Sequence, residues 1–216
     1  MRRAVTIALL PVAAALVALA CTGTQHGARP TIEDLRRRAA ERPDDPDAQR
    51  ALAEGELLLE GGDPARAAAQ IERARRLAPD DLGLVFLAAT ERELHGRPSA
   101  ALDDYLEVLR RAAGSEDPLA ARYAAVAAAE IESLDDPVEG YAERVATALA
   151  PLHAAPGNLG DEARATLGDV LIDIAYRRAD LARVAALVEA GGGVPAGRGA
   201  GALRARPLPG YDGEAP

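Results

Sequence analysis

Residues 46–79 read PDAQRALAEGELLLEGGDPARAAAQIERARRLAP, and this stretch decides the fold. Two apolar runs at helical spacing are separated by Gly61-Gly62-Asp63, and Pro79 closes the unit. Sliding the chain along itself by thirty-four positions carries Gly55, Gly62, Pro64, Ala67, Ile71 and Ala74 onto Ala89, Gly96, Pro98, Ala101, Tyr105 and Val108. The class of residue is kept at each position. Helices of a hairpin approach to about 8–10 Å, where a side chain larger than Ala would push them apart, so Ala67 and Ala101 read as structural. No segment alternates with period two, and no sheet is expected.

That period, with Gly or Ala in the first helix, a Gly-x turn, Ala early in the second helix and a closing proline, resembles the tetratricopeptide repeat. The resemblance covers Pro46 to Pro79 and Asp80 to Ala113. It implies an all-α, tetratricopeptide-like α-solenoid of about three to four helical hairpins. A third hairpin is expected from helices Pro118 to Ser133 and Val138 to Ala150, with Ala128 in the small position and Gly140 replacing the early Ala of the second helix. The linker Ala113 to Asp117 lengthens its period by about five residues. A fourth, Asp161 to Arg178 then Leu181 to Ala190, has the lengths of a hairpin without its signature and reads as a helical cap. Ahead of the array, Thr31 with Asp34 three residues on is an N-capping pattern that starts a helix running to Arg42, before Pro43-Asp44-Asp45-Pro46. That helix matches the second half of a repeat, so the array opens with a half unit.

The ends have a different composition. Arg2 and Arg3 precede an uncharged run from Ala4 to Ala20 that contains Pro11 and is shorter than the roughly 20 residues needed to cross a bilayer. It ends at Ala20-Cys21, and Cys21 is the only cysteine. The arrangement resembles a bacterial lipoprotein signal peptide at residues 1–20. The resemblance implies cleavage before Cys21, lipidation of its sulfur, and a tether over residues 21–30. An uncleaved anchor, or a secretory signal with a free thiol, remains the alternative. Thr22 follows the cysteine where many lipoproteins carry an aspartate for inner-membrane retention, which favours the outer membrane and a periplasm-facing domain over residues 31–190. Residues 191–216 are rich in Gly and Pro and are expected to be a disordered tail.

Composition narrows the function. The formal charge of −9 becomes −11 once Arg2 and Arg3 are removed, and such a surface repels nucleic acid. Every basic residue is Arg, there is no Trp and one Phe, and the core must pack through Ala and Leu. His26, His95 and His153 share no helical face, and Ser99, Ser115 and Ser133 lie in no Gly-x-Ser-x-Gly context. Neither a metal, a cofactor, a small-molecule substrate nor an enzymatic activity is expected. The doublets Asp44-Asp45, Asp80-Asp81, Asp103-Asp104 and Asp135-Asp136 mostly flank turns and helix starts, where they cap backbone amides.

In the tetratricopeptide family the first helix of each hairpin lines a concave groove for partner segments. Carried over by the thirty-four-residue register, the groove positions are Gln49, Leu52, Glu56, Leu59 and Glu60, then Phe86, Thr90 and Glu93. The looser repeats add Arg122, Ala125 and Glu132, and Asp169, Asp173 and Tyr176. Leu52 and Glu56 stand where the family's co-chaperone members use basic or amide side chains to clamp a peptide carboxylate. The lining is acidic with apolar patches, which suits a basic or neutral protein segment; the alternative for these acids is a solvated helix face. The expected function is a non-catalytic, lipid-anchored adaptor and scaffold of the cell envelope. The runner-up is an assembly factor resembling tetratricopeptide lipoproteins that pilot secretin or outer-membrane protein assembly.

Overall fold

A computed structural model describes residues 30–134 and 138–190, and all the regular structure among them is helical. The signal, tether and tail expectations fall outside the described residues, apart from Pro30. Among the described residues nine helices follow one another: α1 Ile32–Glu41, α2 Pro46–Leu58, α3 Pro64–Leu77, α4 Leu82–Leu94, α5 Pro98–Ala113, α6 Pro118–Ser133, α7 Tyr141–Ala154, α8 Asp161–Arg177 and α9 Leu181–Ala190. None of them is long and apolar enough to cross a membrane.

Their starts are written in the sequence. Thr31 caps α1 in a full capping box, its Oγ1 accepting from Asp34 N–H at 3.2 Å while Asp34 Oδ2 accepts from Thr31 N–H at 3.2 Å. Pro46, Pro64, Pro98 and Pro118 each open a helix, where the missing N–H would have had no partner anyway. Asp45, Asp63 and Asp117 cap α2, α3 and α6 through their side chains. Asp81 does the same for α4, accepting from Gly83 N–H at 2.8 Å. The acidic doublets 44–45 and 80–81 are thus partly spent on backbone amides.

The chain divides into two compact units, with the boundary inside α4 after Glu91. In the first, α1 packs on α2 and α2 on α3. Ile32, Leu35 and Ala39 of α1 bury against Leu52 of α2, and a fully buried side chain of this size stabilises by about 1.5–3 kcal/mol. The small residue at 55 is a consequence of that crossing: a Cβ there would lie 2.5 Å from Leu35 Cδ1. A second cluster joins Ala53 and Leu57 to Ala67 and Ile71 of α3 and to Leu87 and Ala88 of α4. Ala67 is fully buried, as its structural reading requires.

In the second unit α5 packs on α6, α6 on α8, and α8 on both α7 and α9. Ala101, Tyr105, Val108 and Ala112 are fully buried along α5, and Ala124, Ala127 and Ala128 along α6, so alanine does set the helix spacing. Arg144 of α7 reaches back to α5, donating to Ser99 Oγ at 2.8 Å and pairing with Asp103. The third hairpin departs from expectation. Its second helix starts at Tyr141 and not Val138, and Gly140 is not an early helical residue: it is the N-cap, at φ +68°, a left-handed conformation that glycine adopts without a Cβ penalty. The helix also runs past Ala150 through Pro151 to Ala154, burying Leu149 and Leu152. The fourth hairpin follows the expected bounds to within one residue.

A tie between distant segments was invisible in the sequence. Gly157, at φ +54°, comes so close to the end of α5 that a Cβ would lie 2.1 Å from Ala113 O. Asn158 continues the contact, its N–H donating to Ala113 O at 3.0 Å and its Nδ2 to Ser115 O at 2.7 Å.

Candidate functional site

The groove positions read from the register meet different fates in the two units. In the first they are largely interior. Gln49 is 1% exposed and donates from Nε2 to Ala39 O at 3.0 Å and Arg42 O at 3.3 Å, satisfying carbonyls at the end of α1 that have no helical partner. Leu52 belongs to the α1–α2 core. Glu56 is 2% exposed and takes both Arg36 nitrogens, Nε and Nη2, at 2.8 Å each, while its Oε2 also accepts from Asp63 N–H at 2.8 Å. Those donors hold its carboxyl below the ordinary range, the Arg36 hydrogen bonds contributing most. Here the expectation of open lining is corrected: α1 occupies the face of α2 that carries these three residues. Glu60 is exposed and Leu59 partly so, whereas Phe86 and Thr90 are buried, Thr90 donating to Phe86 O at 3.2 Å within α4.

The second unit keeps an acid that the first neutralises. Glu93, at the end of α4, is partly buried and accepts from the Tyr105 hydroxyl of α5 at 2.9 Å. Burial raises its carboxyl above the usual range, and the tyrosine bond opposes that rise. Close enough to couple with it stands Glu130 of α6. Its carboxyl is pushed up to about 7, first by burial and then by the charge of Glu93, with Ser133 opposing. Among the described residues no arginine pairs with either acid. Two partly buried carboxylates thus stand near enough to repel each other, one bonded by a phenol and neither paired with a cation among the described residues.

Of the other register positions, Arg122 and Glu132 are exposed and Ala125 is partly buried. The register chose Glu132 where the structure brings Glu130 to Glu93. Two residues apart on a helix is roughly 200° around its axis, so the uncertain linker before α6 turned the reading to the wrong side. A signal for Glu93 did exist. Tyr105 stands where the first repeat has Ile71, and a buried hydroxyl needs a partner. Asp173 pairs with Arg177 on α8, and Asp169 and Tyr176 are partly buried there.

What the pair can do is electrostatic: it can receive a guanidinium or ammonium group, or share a proton. No group of three or more metal-ligating side chains gathers among the described residues. No protein-family model, curated protein or solved structure matches this chain.

Proposed function

We propose that this chain is a non-catalytic binding module of the tetratricopeptide type. It is held by lipid on Cys21 at the bacterial envelope, with the outer membrane favoured over the inner. Its partner is a protein whose basic or neutral extended segment it receives at the acidic surface of the second unit. The observation that supports this reading is the Glu93–Glu130 pair. Both carboxylates are partly desolvated and mutually repelling, so an arriving arginine would remove an existing penalty as well as add charge-assisted hydrogen bonds. The net charge of −11 on the chain cleaved before Cys21 steers cationic segments toward it.

Fluorescein-labelled Gly-Arg and Gly-Asp repeat peptides, followed by anisotropy at low and high salt, test the binding. The basic peptide should bind more tightly, and the preference should shrink as salt rises. A double change Glu93→Gln with Glu130→Gln should remove most of it, whereas Glu132→Gln, on the exposed side of α6, should leave it. Equal loss in both variants would reduce the effect to overall charge and overturn the site. For the anchor, Cys21→Ala should move the mature chain from the detergent phase to the aqueous one, since two or more acyl chains bind a membrane stably where one does not.

A further inference from the structure

A separate cleft of about 580 Å³ opens in the second unit, walled by α7, the segment at 155–160, α8 and α9. Its floor is closed by the buried Leu152, Leu167, Ile172 and Leu187, and its accessible apolar surface comes from Pro156, Ala165, Ala186 and Val188. Two charged side chains that line it, on neighbouring helices, have no counterpart among the described residues. Asp169 of α8 is partly buried and, among the described residues, takes no hydrogen bond and no ion pair, and burial pushes its carboxyl up. Arg183 of α9 is exposed; its backbone N–H donates to Asp180 Oδ1 at 3.0 Å, and its guanidinium takes no partner among the described residues. An acid and a base therefore line one cleft without pairing with each other among the described residues. The remaining charged groups there neutralise each other, Arg164 and Asp161 pairing at 3.4 Å, and His153 completes the titratable set.

Gly168 supplies an independent observation. It lies in the middle of α8, where glycine weakens a helix by about 1 kcal/mol relative to alanine. No packing requires it, because a Cβ built there meets nothing within 4 Å. A side chain at 168 would occupy the cleft, whose wall this glycine forms. Gly168 thus lowers helix propensity on the wall of the cleft without relieving any close contact.

We propose that the α7–α8–α9 cleft binds a short apolar peptide with both termini free, its ammonium on Asp169 and its carboxylate on Arg183. A cavity of this size is in the range that encloses small ligands, and an arginine fork matches a carboxylate in two parallel bonds. The apolar side chains of such a peptide would lie against Pro156, Ala165 and Val188. This site is independent of the Glu93–Glu130 pair.

The probe is Leu-Ala-Leu, titrated at millimolar concentration into the full ¹⁵N-labelled chain, beside its N-acetylated and its C-amidated forms. The free peptide should shift the amides of Gly168, Asp169 and Leu187, and each blocked form should bind about tenfold more weakly. In Asp169→Asn the free and acetylated peptides should become equivalent, and in Arg183→Gln the free and amidated ones. Gly168→Leu should abolish binding of all three while melting at or above the wild-type temperature, which separates a filled cleft from a damaged fold. Blocked and free peptides shifting the same amides equally, no shift at millimolar peptide, or full binding in Gly168→Leu would each overturn the assignment.

Discussion

Glu56 and Glu93 are both groove positions of the repeat register, yet the two units treat them in opposite ways. In the first unit a half-repeat helix, α1, brings Arg36 onto Glu56, and the acid becomes a buried bracket joining α1, α2 and the turn into α3. In the second unit Glu93 meets a phenol and another carboxylate, so burial raises its proton affinity where in Glu56 the arginine lowers it. The two are not equivalent positions, since thirty-four residues carry Glu56 onto Thr90 and Leu59 onto Glu93, but each lies on the first helix of its hairpin, and the charge that faces it comes from whichever element packs alongside. An acid with its own arginine is structure, and an acid without one retains the capacity to bind.

The glycines differ in the same manner and give the largest expected effect. Gly62 and Gly96 align in the register, but a Cβ at 62 would lie 2.6 Å from Gly55 O and 2.7 Å from Glu56 O, whereas at 96 it meets nothing and only the φ of +67° resists. Gly62→Ala should therefore destabilise the first unit by about 3 kcal/mol, and Gly96→Ala the second by about 1, measured by urea unfolding followed by circular dichroism. Equal costs would show that the two turns are one device.

Next in size, Arg36→Met should cost about 2–3 kcal/mol at pH 7, because it leaves Glu56 charged at 2% exposure with only the Asp63 amide for support. That loss should shrink as the pH falls and Glu56 is protonated. A cost unchanged down to pH 3 would mean that packing of the arginine stem, and not its charge, holds α1.

Glu130→Gln should have the opposite sign. The carboxyl of Glu130 binds its proton more tightly folded, at about 7, than at the ordinary 4.5, so the folded state is penalised above pH 7 and progressively relieved as the pH falls between those values. The substitution should stabilise the second unit by about 1–2 kcal/mol at pH 8, a figure reduced for the side chain's partial exposure, and by nothing at pH 4. Thermal melts across that range read it directly, and a flat difference would dissolve the contrast with Glu56. Smallest of all, Tyr105→Phe should cost the second unit about 1 kcal/mol and raise the Glu93 carboxyl further, visible as a shifted ¹³C side-chain titration.

The helices were legible because their signals are local. Thr31 and Asp34 are three residues apart, and the prolines that open α2, α3, α5 and α6 fix their own φ without reference to the rest of the chain. The bounds of α7 were misread for the same reason: Gly140 and Pro151 look like a helix residue and a helix stop, and only Leu149 and Leu152 finding a core extends the helix through the proline. The state of each acid was not legible, because it depends on side chains such as Arg36, twenty positions before Glu56, and on which residue of α6 comes near Glu93. Register alone placed Glu93 and missed its neighbour Glu130.

The clasp at Gly157 bears on how the chain folds in time. Hairpin repeats assemble from contacts close in sequence, which makes their folding fast and lets it begin at any hairpin. The bonds from Asn158 to the end of α5 and its linker span up to about 45 positions and close a loop containing all of α6 and α7, so they form only after both helices are in place. This closure should couple the helices of the second unit, so that the Asn158 amide exchanges with solvent at the rate of that whole block and not of its local turn.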